Sequence, residues 1–228
     1  MHEPTAMRAM ILAAGLGTRM GVLTDNTPKA LLRAAGKPLL QFHLEALARS
    51  GFRDVVINHG RLGAQIEAMF GSGTAFGLTL HYSAEGEEPL ETAGGIRRAL
   101  PLLGQGPFLV VNADVWTDFE LASLVSRDPA AAHIVLVPNP DHHSNGDFAL
   151  SGEQVIESGA PRLTYSGIGV YQPRLFQTLE TERAPLAPLL RAAIAAAKVT
   201  GECHTGRWFD IGTSDRLSRL DQLLRSNS

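Results

Sequence analysis

The stretch that decides the fold reads LAAGLGTRMGVLTDNTPK and spans residues 12–29. It continues an apolar segment into the glycines Gly15 and Gly17, then Arg19, and ends in Lys29 directly after a proline. An apolar strand that ends in a glycine-rich turn exposes a row of backbone N–H groups, and such a row binds anions. Arg19 can hold phosphate oxygens in a planar fork, whereas Lys29 offers a compact point charge. The stretch therefore predicts a strand, a phosphate-binding loop and two cations suited to a triphosphate.

Two better-known glycine motifs are absent from this stretch. A dinucleotide-binding fingerprint needs a third glycine three residues after Gly17, but Met20 stands there. A P-loop needs a lysine directly after its last glycine, and Lys29 lies far from any such glycine. The plain alternative is a tight turn whose glycines only make room for packing. The arginine and the Pro-Lys pair at these spacings favour a third kind of phosphate loop.

LAAGLGTRM followed by TPK resembles the signature of the sugar-1-phosphate nucleotidyltransferases. The resemblance implies an enzyme that joins the nucleotidyl group of a nucleoside triphosphate to a sugar 1-phosphate and releases pyrophosphate. It implies that Arg19 and Lys29 are the catalytic residues. It also implies that the nucleotide is held by the loop residues Ala13, Ala14, Gly15, Gly17 and Thr18.

The composition indicates a soluble protein that binds its ligands at a local site. Of the 228 residues 44% are hydrophobic, and the net charge of −3 argues against a nucleic-acid-binding protein, which should present a basic face. No apolar stretch approaches the length of a membrane span, and residues 1–8 lack the apolar core of a signal peptide. The single cysteine, Cys203, excludes an internal disulfide and fits a reducing compartment. We therefore expect a cytoplasmic protein, and a monomer.

Strand and helix patterns alternate through the first half of the chain. Apolar periodicity predicts strands at 8–13, 54–58, 78–83, 108–111 and 134–137, and helices at 38–50, 62–70, 93–103 and 117–125. Pro38 suits the first position of its helix, and Thr117 with Glu120 forms a capping box for the last one. Such alternation predicts an α/β fold with a doubly wound, mostly parallel, Rossmann-like sheet.

The second half changes character after residue 138. Residues 139–158 are rich in Asn, His, Asp, Gly and Ser, which predicts a small antiparallel insertion over the active site. The strands of this insertion are expected at 148–150, 154–156 and 163–171. A helix at 186–197, a strand at 208–211 and a helix at 214–224 are expected after it. We expect one domain over residues 1–228, with a nucleotide-binding half (1–138) and a sugar-binding half (139–228).

Ligands of doubly wound sheets bind at the carboxyl ends of the strands. Beyond the opening loop, three segments fall at such ends: LETAGG at 90–95, Asn112 to Asp114, and WFDIG at 208–212. Thr92 can cap a helix whose N-terminus faces the crevice and presents free N–H groups to a base or phosphate. These segments are therefore expected to meet at one site.

Asp114 and Asp210 are the acids that we expect to bind Mg²⁺. Mg²⁺ typically takes one or two carboxylates together with substrate phosphates and water. The usual alternative for an acid at a strand end is a helix cap, but Thr117 and Thr213 are placed to cap the helices that follow. The family resemblance points to the same two positions, since its members bind the metal with one aspartate after the central strand and one late aspartate.

The resemblance implies further contacts to both substrates. Glu85 and the backbone of Thr92 to Gly94 match the segment that reads the base, and a carboxylate at Glu85 can accept from the imide N–H of a pyrimidine. The resemblance thus adds Thr92, Ala93, Gly94 and Asn112 to the residues expected to bind the nucleotide. The sugar-binding positions that match the family pattern are Gly146, Asp147, Glu157 and Gly167.

Within the family, segments such as EPLETAGGI, NADVWTD, LTYSGIGVY and FDIGT look most like the uridylyltransferases of cell-wall (peptidoglycan) recycling. This narrower resemblance implies UTP and N-acetylmuramate 1-phosphate as substrates. The lactyl carboxylate of that sugar needs a cation or backbone N–H groups near the insertion, and Arg162 and His143 are both candidates for the cation. The alternatives are a mannose or glucose 1-phosphate or phosphocholine as the acceptor, or a non-catalytic nucleotide-binding regulator.

Overall fold

A nine-stranded mixed sheet organises the part of the chain that the computed structural model describes, residues 7–226. The expectation for the first six residues lies outside this range. The strands are β1 (Arg8–Leu12), β2 (Arg33–Ala34), β3 (Lys37–Pro38), β4 (Asp54–His59), β5 (Thr79–Ala84), β6 (Phe108–Asn112), β7 (Val115–Thr117), β8 (Ala132–Val137), β9 (Phe148–Ser151), β10 (Gln154–Ile156), β11 (Arg162–Tyr171), β12 (Val199–Cys203) and β13 (Trp208–Asp210). The helices are α1 (Leu39–Arg49), α2 (Gly63–Phe70), α3 (Glu91–Leu103), α4 (Arg174–Gln177), α5 (Leu186–Ala195) and α6 (Ser214–Ser226).

Four parallel strands form the first half of the sheet, in the order β5-β4-β1-β6. β1 is buried on both faces, which is why its apolar run forms a central strand. Ala9 and Ile11 pack against the side of the sheet that carries α1 and α2, whereas Met10 packs with Ile96 of α3 on the other side. Helices therefore cover both faces, and the expected α/β class is confirmed.

The second half of the sheet is antiparallel in its centre. β11 lies between β6 and β8 and runs antiparallel to both, and β12 then pairs parallel with β8. The expectation that residues 163–171 belong to a small insertion is wrong, because Ile168, Val170 and Tyr171 are buried within the main sheet. Only the β9–β10 hairpin fits the expected insertion, and it extends the edge of the same sheet.

The helix expected at 117–125 is not formed. Residues 115–117 are strand β7, which pairs antiparallel with β13, and only Leu121–Leu124 make a short 3₁₀ turn. The Thr117 hydroxyl donates to the Arg207 carbonyl at 2.8 Å and accepts from the Phe119 N–H at 3.1 Å, so it joins the two-stranded ribbon instead of capping a helix. Strand pairing with a distant segment thus prevents the helix that the capping-box pattern predicts.

Two other local expectations need correction. Helix α3 begins at Glu91, so Thr92 lies inside its first turn and does not cap it. Strand β12 was not expected, because Gly201 and Glu202 weaken its apolar pattern. Among residues 7–226, no helix is both long and apolar enough to cross a membrane.

Gly201 provides a test of how β12 packs. A Cβ at this position would lie 2.7 Å from the Ile134 carbonyl oxygen and 2.9 Å from a Val155 methyl. We expect Gly201→Ala to lower the free energy of unfolding by about 1–3 kcal/mol, because the neighbouring backbone cannot move aside cheaply. Urea denaturation measures this change. Gly106→Ala is the control, since a Cβ there meets nothing within 4 Å, and an equal loss in both variants would contradict the packing explanation.

Candidate active site

A cleft opens at the carboxyl ends of β1, β4 and β6. It brings together eight of the residues expected from the sequence: Ala13, Ala14, Gly15, Lys29, Glu85, Thr92, Asn112 and Asp114. A second cavity of about 460 Å³ adjoins it and shares Glu91, Thr92 and Asn112 with it. The two cavities therefore share part of their walls, and Asp147 lines the second.

The glycine-rich loop presents unpaired backbone N–H groups. Within residues 7–226, the N–H groups of residues 14–17 meet no protein acceptor. Gly17 adopts a left-handed conformation with φ of 67°, and a Cβ there would lie 2.9 Å from the Thr24 side chain. The Thr24 hydroxyl bonds to the Gly17 carbonyl at 3.0 Å and holds the loop in place. The loop therefore has the free donors that an anion-binding turn requires.

The two cations of the loop differ in their surroundings. Arg19 is exposed and makes no ion pair with any residue of the described chain. Lys29 is nearly buried, with 11% of its side chain exposed, and its Nζ lies 2.5 Å from Oδ2 of Asp114. A short 3₁₀ turn that starts directly after Pro28 directs this lysine into the cleft. The structure thus places Lys29 in the cleft at the end of β6, whereas Arg19 is exposed and lines neither cavity.

Pairing of β7 with β13 brings the two expected metal-binding aspartates together. Asp210 lies opposite Val115, the residue that follows Asp114. The N–H of Ile211 donates to the Asp114 carbonyl oxygen at 2.8 Å. Two positions separated by 95 residues of sequence are therefore fixed side by side by backbone hydrogen bonds.

The two carboxylates retain oxygens that suit a divalent cation. Asp210 Oδ2 accepts from Arg216 at 2.9 Å and contacts His142 at 3.2 Å, while Asp114 Oδ2 holds Lys29. In the described chain no protein donor reaches Oδ1 of either aspartate, and their side chains are 34% and 24% exposed. Partly exposed carboxylate oxygens are the donors that Mg²⁺ prefers. Thr213 caps α6 as expected, through the Arg216 N–H at 3.4 Å, which leaves Asp210 free of that role.

Glu85 lies in the cleft, but its carboxylate is already bound by protein donors. Asn58 donates to Glu85 Oε1 at 2.6 Å, and the Leu90 N–H donates to Oε2 at 2.8 Å. Asn58 also accepts from the Ala13 N–H at 2.8 Å, so that this N–H is not free. The lack of a side chain at Gly95 makes room for the pair, since a Cβ there would lie 2.2 Å from Glu85 Oε1. Sequence reasoning missed Asn58, although its place at the end of β4 could have indicated it.

The start of α3 contributes less backbone than expected. The N–H groups of Ala93 and Gly94 both donate to the Ala184 carbonyl, at 2.9 and 3.1 Å. Neither group is available to a base. Glu91 and Thr92 line both cavities and remain the residues of this segment that a ligand can reach.

The residues expected around the sugar occupy different positions. Asp147 lines the second cavity, where its Oδ2 accepts from the Tyr165 N–H at 2.8 Å. Gly167 has φ of 80° at a bulge of β11 and packs against Asn112. Gly146 is buried in a loop against Asn139 and does not line the second cavity.

Glu157 stands behind the second cavity. Its Oε1 pairs with Arg191, a residue of the cavity wall that sequence reasoning missed. Its Oε2 is buried without a partner among the described residues. Arg191 lies on α5, where its alternation with apolar residues looked like ordinary helix amphipathicity.

A buried histidine supports the strand end that carries Asp114. His43 of α1 is 5% exposed, and its Nε2 has no partner in the described chain. Burial lowers its pKa to about 4, although hydrogen bonds to the backbone of Val115 and Ala113 and the nearby Asp114 charge oppose this shift. The imidazole is therefore neutral near pH 7 and packs beneath the site as a structural group.

With this geometry, the sequence comparison defines the class of the protein. The chain belongs to the nucleotidyl transferase family, whose family model matches residues 8–227. It is therefore a nucleotidyltransferase, of a family that acts on sugar 1-phosphates.

Two relatives are named for a particular reaction. The N-acetylmuramate alpha-1-phosphate uridylyltransferase of Neisseria meningitidis serogroup B is 48% identical over 226 residues, which cover 95% of this chain and 98% of the relative. The protein of the same name from Caulobacter vibrioides is 34% identical over 90% of this chain and 91% of its own. A putative glucose-1-phosphate thymidylyltransferase from Bacillus anthracis shares the fold, with a TM-score of 0.85, 22% identity and 96% of each chain covered.

The depressed pKa of His43 predicts a pH-dependent stability. The folded-state pKa of about 4 is below the ordinary 6.5. The stability that neutral His43 contributes is therefore fully present above pH 6.5 and is lost as the pH falls towards 4. The loss assigned to this group is up to about 3 kcal/mol. Urea denaturation between pH 7 and 4.5 should show a smaller decrease for His43→Leu than for the wild type. Parallel curves for the two proteins would show that His43 is not the group responsible.

Proposed function

We propose that this protein transfers a uridylyl group from UTP to N-acetylmuramate 1-phosphate, with UDP-N-acetylmuramate and pyrophosphate as products. The observation that carries the proposal has two parts. Lys29 pairs with Asp114 next to a loop with free N–H groups, and the pairing of β7 with β13 places Asp210 beside Asp114. The choice of UTP and of this sugar is supported by the names of the two relatives, one of them 48% identical over nearly the full length of both chains.

The reaction needs no nucleophile from the protein. An oxygen of the sugar phosphate attacks the α-phosphorus of UTP and forms the new P–O bond. The bond from the α-phosphorus to the bridging oxygen breaks in line, and pyrophosphate leaves with the electron pair. Catalysis of such a step depends mainly on positioning and on stabilising charge.

The chain's own cations are suited to those two tasks. Lys29 neutralises charge at the α-phosphate, next to the point where the sugar phosphate arrives. The exposed and unpaired Arg19 binds the β- and γ-phosphates and then the departing pyrophosphate. The unpaired N–H groups of the loop, which include those of Ala14, Gly15 and Gly17, hold phosphate oxygens, and Thr18 completes the loop.

Asp114 and Asp210 would hold Mg²⁺ through the oxygens that no protein donor occupies. A bound Mg²⁺ supplies positive charge that neutralises phosphate oxygens during the transfer. Lys29 and Arg216 each hold one oxygen of these carboxylates in an ion pair and so restrict their movement. A free lone pair on Glu85 accepts from the uracil imide, and Asn58 fixes the direction of that carboxylate.

The cellular context follows from the proposed substrates. A pathway that recovers N-acetylmuramate from the cell wall would use this step to return the sugar to a nucleotide-activated form. Such a reaction draws on UTP and therefore belongs in the cytoplasm. We propose that the protein acts there as a monomer, as a single domain with a nucleotide-binding half (1–138) and a sugar-binding half (139–228).

A substrate panel tests the proposed reaction against others within the family. Pyrophosphate release should be fastest with UTP and N-acetylmuramate 1-phosphate, compared with UTP, GTP or CTP combined with mannose 1-phosphate, glucose 1-phosphate or phosphocholine. Heat-inactivated protein gives the background. Faster turnover of any other pair would replace the assignment of the substrates and leave the nucleotidyltransferase class intact.

Charge removal at the aspartates tests catalysis against a purely regulatory, nucleotide-binding role. We expect Asp114→Asn and Asp210→Asn each to lower kcat/KM by on the order of 100-fold or more, because each removes a preorganised charge at the reacting phosphates. Asp54→Asn is the matched control, since Asp54 is the first residue of β4 and lies at the end of that strand away from the cleft. A regulator would show no turnover in the wild type and unchanged UTP binding in the variants.

A further inference from the structure

The proposed sugar substrate carries a lactyl carboxylate that a cation can bind, and both cations suggested by the sequence already have protein partners. Arg162 donates to the backbone carbonyls of Asn145, Glu157 and Asp147 at 3.0, 2.8 and 2.6 Å, so all three of its nitrogens are used to hold loops together. His143 is in contact with Asp147 Oδ1 at 3.1 Å. Both residues are therefore committed to the local structure.

The second cavity offers one other cation. Among its described lining residues, Arg191 is the sole lysine, arginine or histidine. The same wall carries two acids, Glu91 and Asp147. Without Arg191 these acids would repel an anionic sugar. Arg191 therefore marks the place in this cavity where the carboxylate of a substrate can bind.

Arg191 is held in position but keeps donors free. Its Nη1 donates to Glu157 Oε1, and its guanidinium lies 6.0 Å from the centre of the Phe148 ring. Within residues 7–226, its Nε and Nη2 donate to no protein acceptor, and 54% of the side chain is exposed. These two nitrogens form one edge of the guanidinium fork, which is the edge that binds a carboxylate in a bidentate manner.

We propose that Arg191 binds the lactyl carboxylate of N-acetylmuramate 1-phosphate and so sets the preference for this sugar over N-acetylglucosamine 1-phosphate, which lacks the lactyl group. Glu157 acts as the positioning residue for Arg191. The inference rests on the proposed function, because it concerns the substrate of that same site. A site built around a charged group of its substrate discriminates strongly against the analogue that lacks it.

The test compares the two sugars in Arg191→Gln, with UTP held constant. We expect kcat/KM for N-acetylmuramate 1-phosphate to fall by on the order of 100-fold, mainly through KM, because the contact lies away from the reacting phosphorus. With N-acetylglucosamine 1-phosphate the change should stay within about threefold, and the KM for UTP should not move. Arg191→Lys should recover part of the loss, since it restores charge without the bidentate edge.

Arg225→Gln is the matched control, because Arg225 is an exposed arginine of α6 that pairs with Asp221 at 2.7 Å in the same way. Its kinetics should equal those of the wild type. An equal loss with both sugars in Arg191→Gln, or a raised KM for UTP, would overturn the inference and give Arg191 a purely structural role. Unchanged kinetics with N-acetylmuramate 1-phosphate would also overturn it. A wild type that does not use this sugar at all would instead overturn the proposed function, and the inference with it.

Discussion

The ion pair between Lys29 and Asp114 is the contact on which the site depends. It joins the end of the phosphate loop to the end of the central strand β6, and it buries most of the lysine. Because a lysine ammonium that is nearly withdrawn from water needs an opposite charge, neither residue can leave the cleft alone. Asp210 then reaches the same point through the β7–β13 ribbon, with Arg216 as its own cation. Two paired carboxylates thus stand at the loop before any substrate arrives.

Much of the fold and the loop could be predicted from the sequence, because these features rest on local signals. The buried run of β1, the glycine turn and the Pro-Lys step are encoded within 22 consecutive residues, 8–29. The features that were missed depend on partners far away in the chain. The helix expected at 117–125 does not form, because residues 115–117 pair with residues 208–210. The Glu85 carboxylate is oriented by Asn58 of β4. Arg191 was missed because only the folded chain places it beside Phe148 and Glu157.

The hydrogen bonds of Glu85 illustrate how neighbouring residues prepare a side chain of the cleft. A sequence motif identifies the residue type at the cleft, but hydrogen-bond partners decide which lone pairs remain for a ligand. Here Asn58 connects Glu85 to Ala13 of the glycine-rich loop through two hydrogen bonds, so that these two sides of the cleft are joined.

The antiparallel course of β11 has a consequence for how this scaffold can change its acceptor. Because β11 runs opposite to β6, its first residues lie at the edge where β6 ends, and Tyr165 there meets Asp147. In the described chain, the strands within residues 138–161 pair with each other, with β11 and with β12, and not with the parallel strands β1, β4, β5 and β6. The wall of the second cavity, which also includes Arg191 of α5, is in this sense a part of the molecule that can change independently of the parallel strands.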